Sequence, residues 1–345
     1  MSLLYMDSMQ YFADVDTQAN ILRRYQGHTS ASNTSFLPTD GPFGDACWNF
    51  TAQYVGPTVY GDWNKTTIYF GAWMRQQGTE NGRTFMAWWE GNESTNHVLI
   101  DMGASGVGSL TIKNGGGATL GTPSGLWTQN VWNFVEFKVV IHDSAGEVTI
   151  YVNGVSAYSL TGVDTRNGGT NGWVDSIGFF GSDGGGIRWS HIAVWDNAGN
   201  APTDFFGPYR IHYLKPTADT AQADFVPLGA GDNYVEVDEQ NADDDATYNS
   251  SATSTDADEF AVENLPSTVV SVSAVQAIAL ARKDDAGART IKVGVDSNGT
   301  DEVSAAQPTI PSYGYFVHLM DENPDDAAAW APADVDAALV RYEVG

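Results

Sequence analysis

The chain has 345 residues, 42% of them hydrophobic and 12% aromatic, with 43 acidic against 16 basic side chains for a net charge of −27. At about 100–200 residues per domain that is apolar material for two cores. The charge excludes a nucleic-acid or anionic-membrane partner, because gripping phosphate needs clustered Lys and Arg. No run of about 18 apolar residues offers a membrane-spanning helix. Met1–Asp7 has neither a basic nor an apolar leader segment, so a soluble, unprocessed chain is expected. The single cysteine, Cys47, excludes an intrachain disulfide and a cysteine-built zinc site. Between Ala46 and Trp48 it reads as a small core residue.

Taken in chain order, the first part reads as all-β apart from a helical turn near Gln18–Arg24. Strands are expected over Thr67–Arg75, Thr84–Trp89 and His97–Met102, and on either side of Asn114-Gly115. From Asn133 to Ile141, alternation puts Val135, Phe137, Val139 and Ile141 on one face and Glu136 and Lys138 on the other. Glu147–Val152 and Val155–Leu160 flank Asn153-Gly154, a pair that tolerates the positive φ of a two-residue hairpin turn. Ser176–Phe180 and His191–Trp195 complete the set, and many short strands between Gly-rich turns predict a sandwich or jelly roll.

An Asn-, Gly- and Pro-rich stretch, Asn197–Pro208, marks a boundary, giving domains 1–207 and 208–345. The charge divides unevenly across it: 9 − 18 = −9 in the first part and 7 − 25 = −18 in the second. Every tryptophan except Trp330 lies in the first. In the second part strands are predicted over Arg210–Leu214, within Thr268–Arg282, and over Thr290–Val295 and Leu339–Val344. A short helix should start at Pro332. Val235–Asp258, acidic and short of large apolar residues, reads as loops around brief strands. The fold class is therefore all-β, a jelly-roll sandwich followed by a second, smaller β-sandwich.

Signatures of catalysis are missing from the sequence: no nucleophile elbow, no His-Glu-x-x-His pair and no phosphate loop. The nearest same-face acid pair, Glu236 and Asp238, lies away from the aromatic part. Sugar binding has better support, since rings stack on aromatic faces while carboxylates and amides take hydroxyls. Trp88 and Trp89, adjacent in one strand, must point to opposite faces. Trp173 and Trp189 flank a Gly-rich turn containing Asp183. These five are the candidate glycan- or partner-binding residues. Asp243, Asp244 and Asp245 are candidate calcium ligands, since hard cations collect oxygen, although the spacing of a calcium-loop motif is absent. No other cofactor is expected.

Two stretches, Trp132–Val139 and Gly146–Gly154, resemble the strand-turn-strand centre of concanavalin A-like (laminin G-like) domains, and Ile192–Asp196 resembles their closing strand. A narrower set is similar to tailed-bacteriophage virion proteins: Leu3-Leu4-Tyr5-Met6-Asp7, Asp204-Phe205-Phe206-Gly207, Leu214-Lys215-Pro216-Thr217, Asp244–Tyr248, Ala281–Gly287 and Asn323-Pro324 with Trp330. Phe206 stands where that family has an aliphatic residue. The resemblance implies a non-enzymatic structural or decoration protein on the exterior of a phage head or tail. It implies a homo-oligomer whose partners are other virion proteins, with host-surface glycan as a further ligand. The alternatives are a free carbohydrate-binding protein and a glycoside hydrolase. The −27 charge fits a protein kept outside the DNA-filled shell and points to a salty medium and a marine or halophilic host.

Overall fold

The computed structural model describes residues 3–12, 23–25, 34–52, 56–78, 82–91, 93–103, 106–167, 171–181, 186–199, 203–240 and 242–345. Two compact units, Met1–Ile211 and His212–Gly345, divide the chain. The division falls four residues beyond the expected boundary at 207, since 211 − 207 = 4. No helix among the described residues is long and apolar enough to cross a membrane.

Unit 1 begins with β1 (Leu3–Asp7), β2 (Thr34–Leu37), β3 (Cys47–Phe50), β4 (Thr58–Lys65) and β5 (Thr67–Gln76). Next come β6 (Thr84–Glu90), β7 (Thr95–Met102), β8 (Leu110–Asn114), β9 (Thr119–Gly121) and β10 (Asn133–Val140). It closes with β11 (Gly146–Val152), β12 (Val155–Val163), β13 (Val174–Phe179) and β14 (Ile187–Asp196). An eight-stranded sheet runs β12-β11-β10-β5-β14-β3-β2, with β1 on β14, and a six-stranded sheet runs β4-β13-β6-β7-β8-β9. The alternating segments became strands where expected. Asn153 and Gly154 take φ of 52° and 77°, the two positive values the hairpin turn requires. The helical turn expected near Gln18–Arg24 lies outside the described residues except for its last two positions.

Aromatic rings fill the space between the sheets. Phe137 of the eight-stranded sheet meets Trp88 and Phe85 of the six-stranded sheet at 5.9 and 6.3 Å between ring centroids. Phe85 stacks on Trp189 at 6.1 Å. Each of these rings is fully buried. Cys47 is buried here too, and burial pushes its thiol up to about 12, so it is the inert core residue expected.

The outer face of the eight-stranded sheet is also covered. Residues 203–211, which include the expected strand's first residues, form no strand and instead run across it as a strap. Phe205 stacks on Tyr151 at 3.8 Å, Phe206 meets Trp195 at 5.0 Å, and Tyr209 meets Phe134 at 4.8 Å. Trp195 Nε1 donates to the Asp204 carbonyl, and Trp73 Nε1 to that of Tyr209. The Tyr209 hydroxyl donates to the Gly71 carbonyl at 2.7 Å. Gly71 has to be a glycine, because a Cβ there would lie 2.9 Å from the Trp195 ring. Glu136 sits beneath the strap with no exposed surface, and its carboxylate accepts the N–H groups of Phe206 (2.6 Å) and Gly207 (3.1 Å). Alternation placed Glu136 on the correct face, but that face is not solvent.

Unit 2 contains β15 (Pro216–Ala223), β16 (Val226–Pro227), β17 (Asn249–Ser250), β18 (Ala257–Val262) and β19 (Val275–Ala281). It continues with β20 (Thr290–Ser297), β21 (Thr300–Val303), β22 (Gln307–Pro308), β23 (Gly314–Met320), α1 (Pro332–Ala337) and β24 (Leu339–Val344). One sheet runs β15-β18-β24-β20-β21, with β22 on β20, and the β19–β23 ribbon packs against it through Phe316, Ile291 and Val293. The strand expected from Arg210 is corrected: pairing begins only at Pro216, because Tyr209 is held by the strap. Strand β18 was not anticipated; only its first two residues fall in the acidic stretch 235–258, whose other described residues form mostly loops around the brief β17, as expected. Asp258 is fully buried, and its carboxylate accepts Phe225 N–H, Asn233 Nδ2–H and the Tyr342 hydroxyl, each at 2.9 Å.

Burial pushes the Glu136 carboxyl from 4.5 up to about 7, outweighing the two backbone donors that hold it down. Between those values the folded chain keeps a proton that the unfolded chain releases. Its contribution is therefore complete below pH 4.5 and lost as pH rises through 7. Glu136→Gln should match the parent at pH 5 and exceed it by about 1–3 kcal/mol at pH 8.5. Thermal unfolding at the two pH values checks this; parallel curves for parent and variant would refute it. Asp258→Ala, which strands three donors, should cost about 3 kcal/mol or more in chemical denaturation.

Candidate functional site

With the inner faces packed and the strap lying over the centre of the eight-stranded sheet, the outer face of the six-stranded sheet is one place where polar and charged groups collect. Strand register defines it. Val59, Ile177, Trp88 and Val98 pair in one row and are buried toward the core. The alternate row runs Thr58, Gly178, Ala87, Leu99, Lys113 and Thr119 across all six strands, and a second such row runs Tyr60, Ser176, Trp89 and Asn96. Asp101 pairs with Thr84 on one side and Thr111 on the other.

An apolar centre and a charged flank share this face. Trp89 packs with Ala87, Phe180 and partly buried Leu99, its ring edge-on to Phe180 at 6.0 Å. Its Nε1–H donates to exposed Asn96. Gly178 makes room: a Cβ there would lie 2.3 Å from the Phe180 ring and 2.5 Å from that of Trp89. Beside this cluster Asp101 is nearly buried, and its carboxylate accepts the Thr84 hydroxyl and the half-buried Lys113 ammonium, both at 2.5 Å. Leu99, Thr111 and Lys113 stay partly open to solvent and Asn96 and Thr119 more so.

One end of the same sheet is organised by Asp175. Its carboxylate accepts the N–H groups of Asn64 and Gly91, each at 2.9 Å, and the Trp173 Nε1–H at 3.1 Å. It thereby ties together the end of β4, the loop after β6 and the start of β13 with the residue before it.

The sequence-derived candidates separate accordingly. Trp88 and Trp89 do point to opposite faces, and only Trp89 reaches the outer one. Trp88 is fully buried against Phe137, and Trp189, fully buried with its Nε1–H on the Phe180 carbonyl, is likewise a core residue. Both are therefore corrected from contact residues to packing residues. Trp173 is half-buried at the Asp175 end, immediately before the strand next to that of Trp89. Asp183 lies outside the described residues. Asp243, Asp244 and Asp245 do not converge on a common point: Asp243 takes the Thr247 hydroxyl, and Asp245 is held by Arg282 and the Tyr313 hydroxyl. Among the described residues the acidic oxygens that do come together belong to Glu259, Asp296 and Asp301, with Arg341 among them. Glu236, from the rejected acid pair, accepts Gly229 N–H and is buried. Lys113, Asp101, Thr84 and Asn96 were not singled out from sequence. The alternation Leu110-Thr111-Ile112-Lys113 carried the signal, since it places Thr111 and Lys113 opposite the apolar pair.

No family model matches the chain, and no curated protein matches it. Among solved structures it is similar to the alginate lyase Aly36B, with 13% identity over 56% of this chain and 96% of that one and a TM-score of 0.32. It is similar to the Caenorhabditis elegans galectin LEC-6, with 13% identity, coverage of 49% and 99%, and a TM-score of 0.29. A Trypanosoma rangeli sialidase in complex with sialic acid gives 13% identity, coverage of 56% and 30%, and a TM-score of 0.36. Likeness at this level carries no argument about what the chain does.

The Gly178 contact is testable directly. Gly178→Ala should destabilise unit 1 by about 1–3 kcal/mol by overpacking, and should shift the fluorescence of Trp89 relative to a Trp89→Phe control. An unchanged unfolding midpoint would show that the two rings do not need that space.

Proposed function

We propose that this protein is a non-enzymatic component of a tailed-phage particle whose first unit binds glycan on the outer face of its six-stranded sheet. The observation that carries the glycan half is the make-up of that face: partly exposed Leu99, seated on the buried Trp89 and Phe180 rings, bordered by Asn96, Thr111 and Lys113. A sugar ring presents apolar C–H faces and a rim of hydroxyls, and needs that combination. Asp101 and Asp175, nearly buried and already taken up by fixed donors, stiffen this face and offer no free carboxyl for proton transfer. A general acid would need a carboxyl free to give up a proton. The virion half rests on the resemblance of the six segments spread along the chain. Contact with other virion proteins, self-assembly and an exterior position follow from it.

A glycan array probed with the native protein, Asn96→Ala and Thr111→Tyr tests the first half. Thr111→Tyr fills the face without touching the core. Retention by the native protein and at least tenfold weaker binding by both variants, about 1.4 kcal/mol, is the expected result. Binding to no glycan, or equal binding by all three, would overturn it. Peptide mass spectrometry of purified particles tests the second half: the protein should be present at a fixed copy number, and its absence removes the virion reading alone.

A further inference from the structure

We propose that His97 and Glu90 form a binding site for a transition-metal dication of the zinc type. The argument starts from strand pairing. Trp88 pairs with Val98 and Trp89 with Asn96, so His97 is the extra residue of a β-bulge on β7 and faces no partner across the ladder. Bulges re-aim a side chain, and they gather next to functional sites. The imidazole is fully buried. Its Nδ1 lies 3.0 Å from the Arg166 carbonyl. A carbonyl can only accept, so Nδ1 carries a proton, and in the neutral ring Nε2 presents a lone pair. Among the described residues that Nε2 has no hydrogen-bond partner.

Glu90 Oε2 lies 3.9 Å from that Nε2. A carboxylate oxygen and a neutral imidazole nitrogen offer each other only lone pairs. An uncompensated acceptor buried in this way is costly, and a cation between the two removes the conflict. Glu90 is itself held in place: Asn171 N–H donates to Oε2 at 3.1 Å and Asn171 Nδ2–H to Oε1 at 2.5 Å. Both would-be ligands therefore have their remaining polar atoms oriented by a second set of groups. The pattern of a histidine giving its other N–H to a backbone carbonyl is the one that metal-ligating histidines adopt.

Ligand type selects the ion. Imidazole with carboxylate suits zinc and its neighbours, whereas calcium and magnesium prefer all-oxygen sets. Metal–ligand bonds of about 2.0–2.1 Å put tetrahedral neighbours about 3.4 Å apart. Binding would draw Glu90 inward by about half an ångström. Two protein ligands leave two coordination positions for water or for an oxygen of another molecule, so the site should be of moderate affinity. The inference does not depend on glycan binding or on the virion assignment.

Calorimetric titration of the EDTA-stripped full chain with ZnCl2 tests it, alongside Glu90→Gln, His97→Gln and Asn171→Ala. The expected result is one zinc per native chain, at least tenfold weaker binding in the two ligand variants, and about tenfold weaker binding in Asn171→Ala, which loses only the orienting amide. Zinc should raise the native melting temperature and leave that of Glu90→Gln unchanged. Because substitution of buried His97 puts folding itself at stake, the variants Glu90→Gln and Asn171→Ala carry the decision. No zinc bound by the native chain, or the same affinity in native, Glu90→Gln and Asn171→Ala, would overturn the proposal. The latter result would assign the zinc to surface histidines such as His142.

Discussion

The arrangement of unit 1 depends on a carboxylate with nowhere to go. Glu136 lies in the middle of the eight-stranded sheet, on the face away from the core, yet it is entirely covered. It is tolerated there because two backbone N–H groups of the strap point at it, and because the rings of Phe205, Phe206 and Tyr209 seal the surround. The strap closes that face over β10, β5 and β14, while Lys138 and Glu147 beside it and the outer face of the six-stranded sheet keep polar groups at the surface. Asn96, Thr111 and Lys113 matter for that reason.

The two sheets solve the same problem of exposed polar groups in different ways. Where the strap covers the sheet, one acid is satisfied by main chain. On the opposite sheet Asp101 is satisfied by neighbouring side chains, Thr84 and Lys113, within the sheet itself. The second solution leaves the surface open, because it recruits nothing from elsewhere in the chain. Unit 2 combines the two at Asp258, where one main-chain N–H, from Phe225, and the side chains of Asn233 and Tyr342 gather around one buried carboxylate.

Much of this was legible in the sequence, for local reasons. Alternation through Val135, Phe137 and Val139, the Asn153-Gly154 turn, the helix at Pro332 and the final strand from Leu339 all follow from contacts between near neighbours. What was not legible depends on residues far apart. The covering of Glu136 comes from residues 70 positions away. That Trp88 and not Trp89 is the core member of its pair depends on Phe137 in the other sheet. Strand β18 hid because buried acids such as Asp258 look, in composition, like loop residues. The special character of His97 was equally hidden: six scattered histidines show no ligand spacing, and it is the buried, unpartnered Nε2 beside Glu90 that sets this one apart among the described residues.

The strap also has a mechanical meaning. It is the last stretch of unit 1, so tension applied to the chain beyond Ile211 reaches it first. An attachment made through an edge strand would unzip one hydrogen bond at a time. Here the load meets the Trp73, Gly71, Glu136 and Trp195 anchors spread along several residues over central strands, together with the interlocked rings. Those contacts share the force in parallel, and they hand it to the middle of a sheet, which yields least readily to pulling.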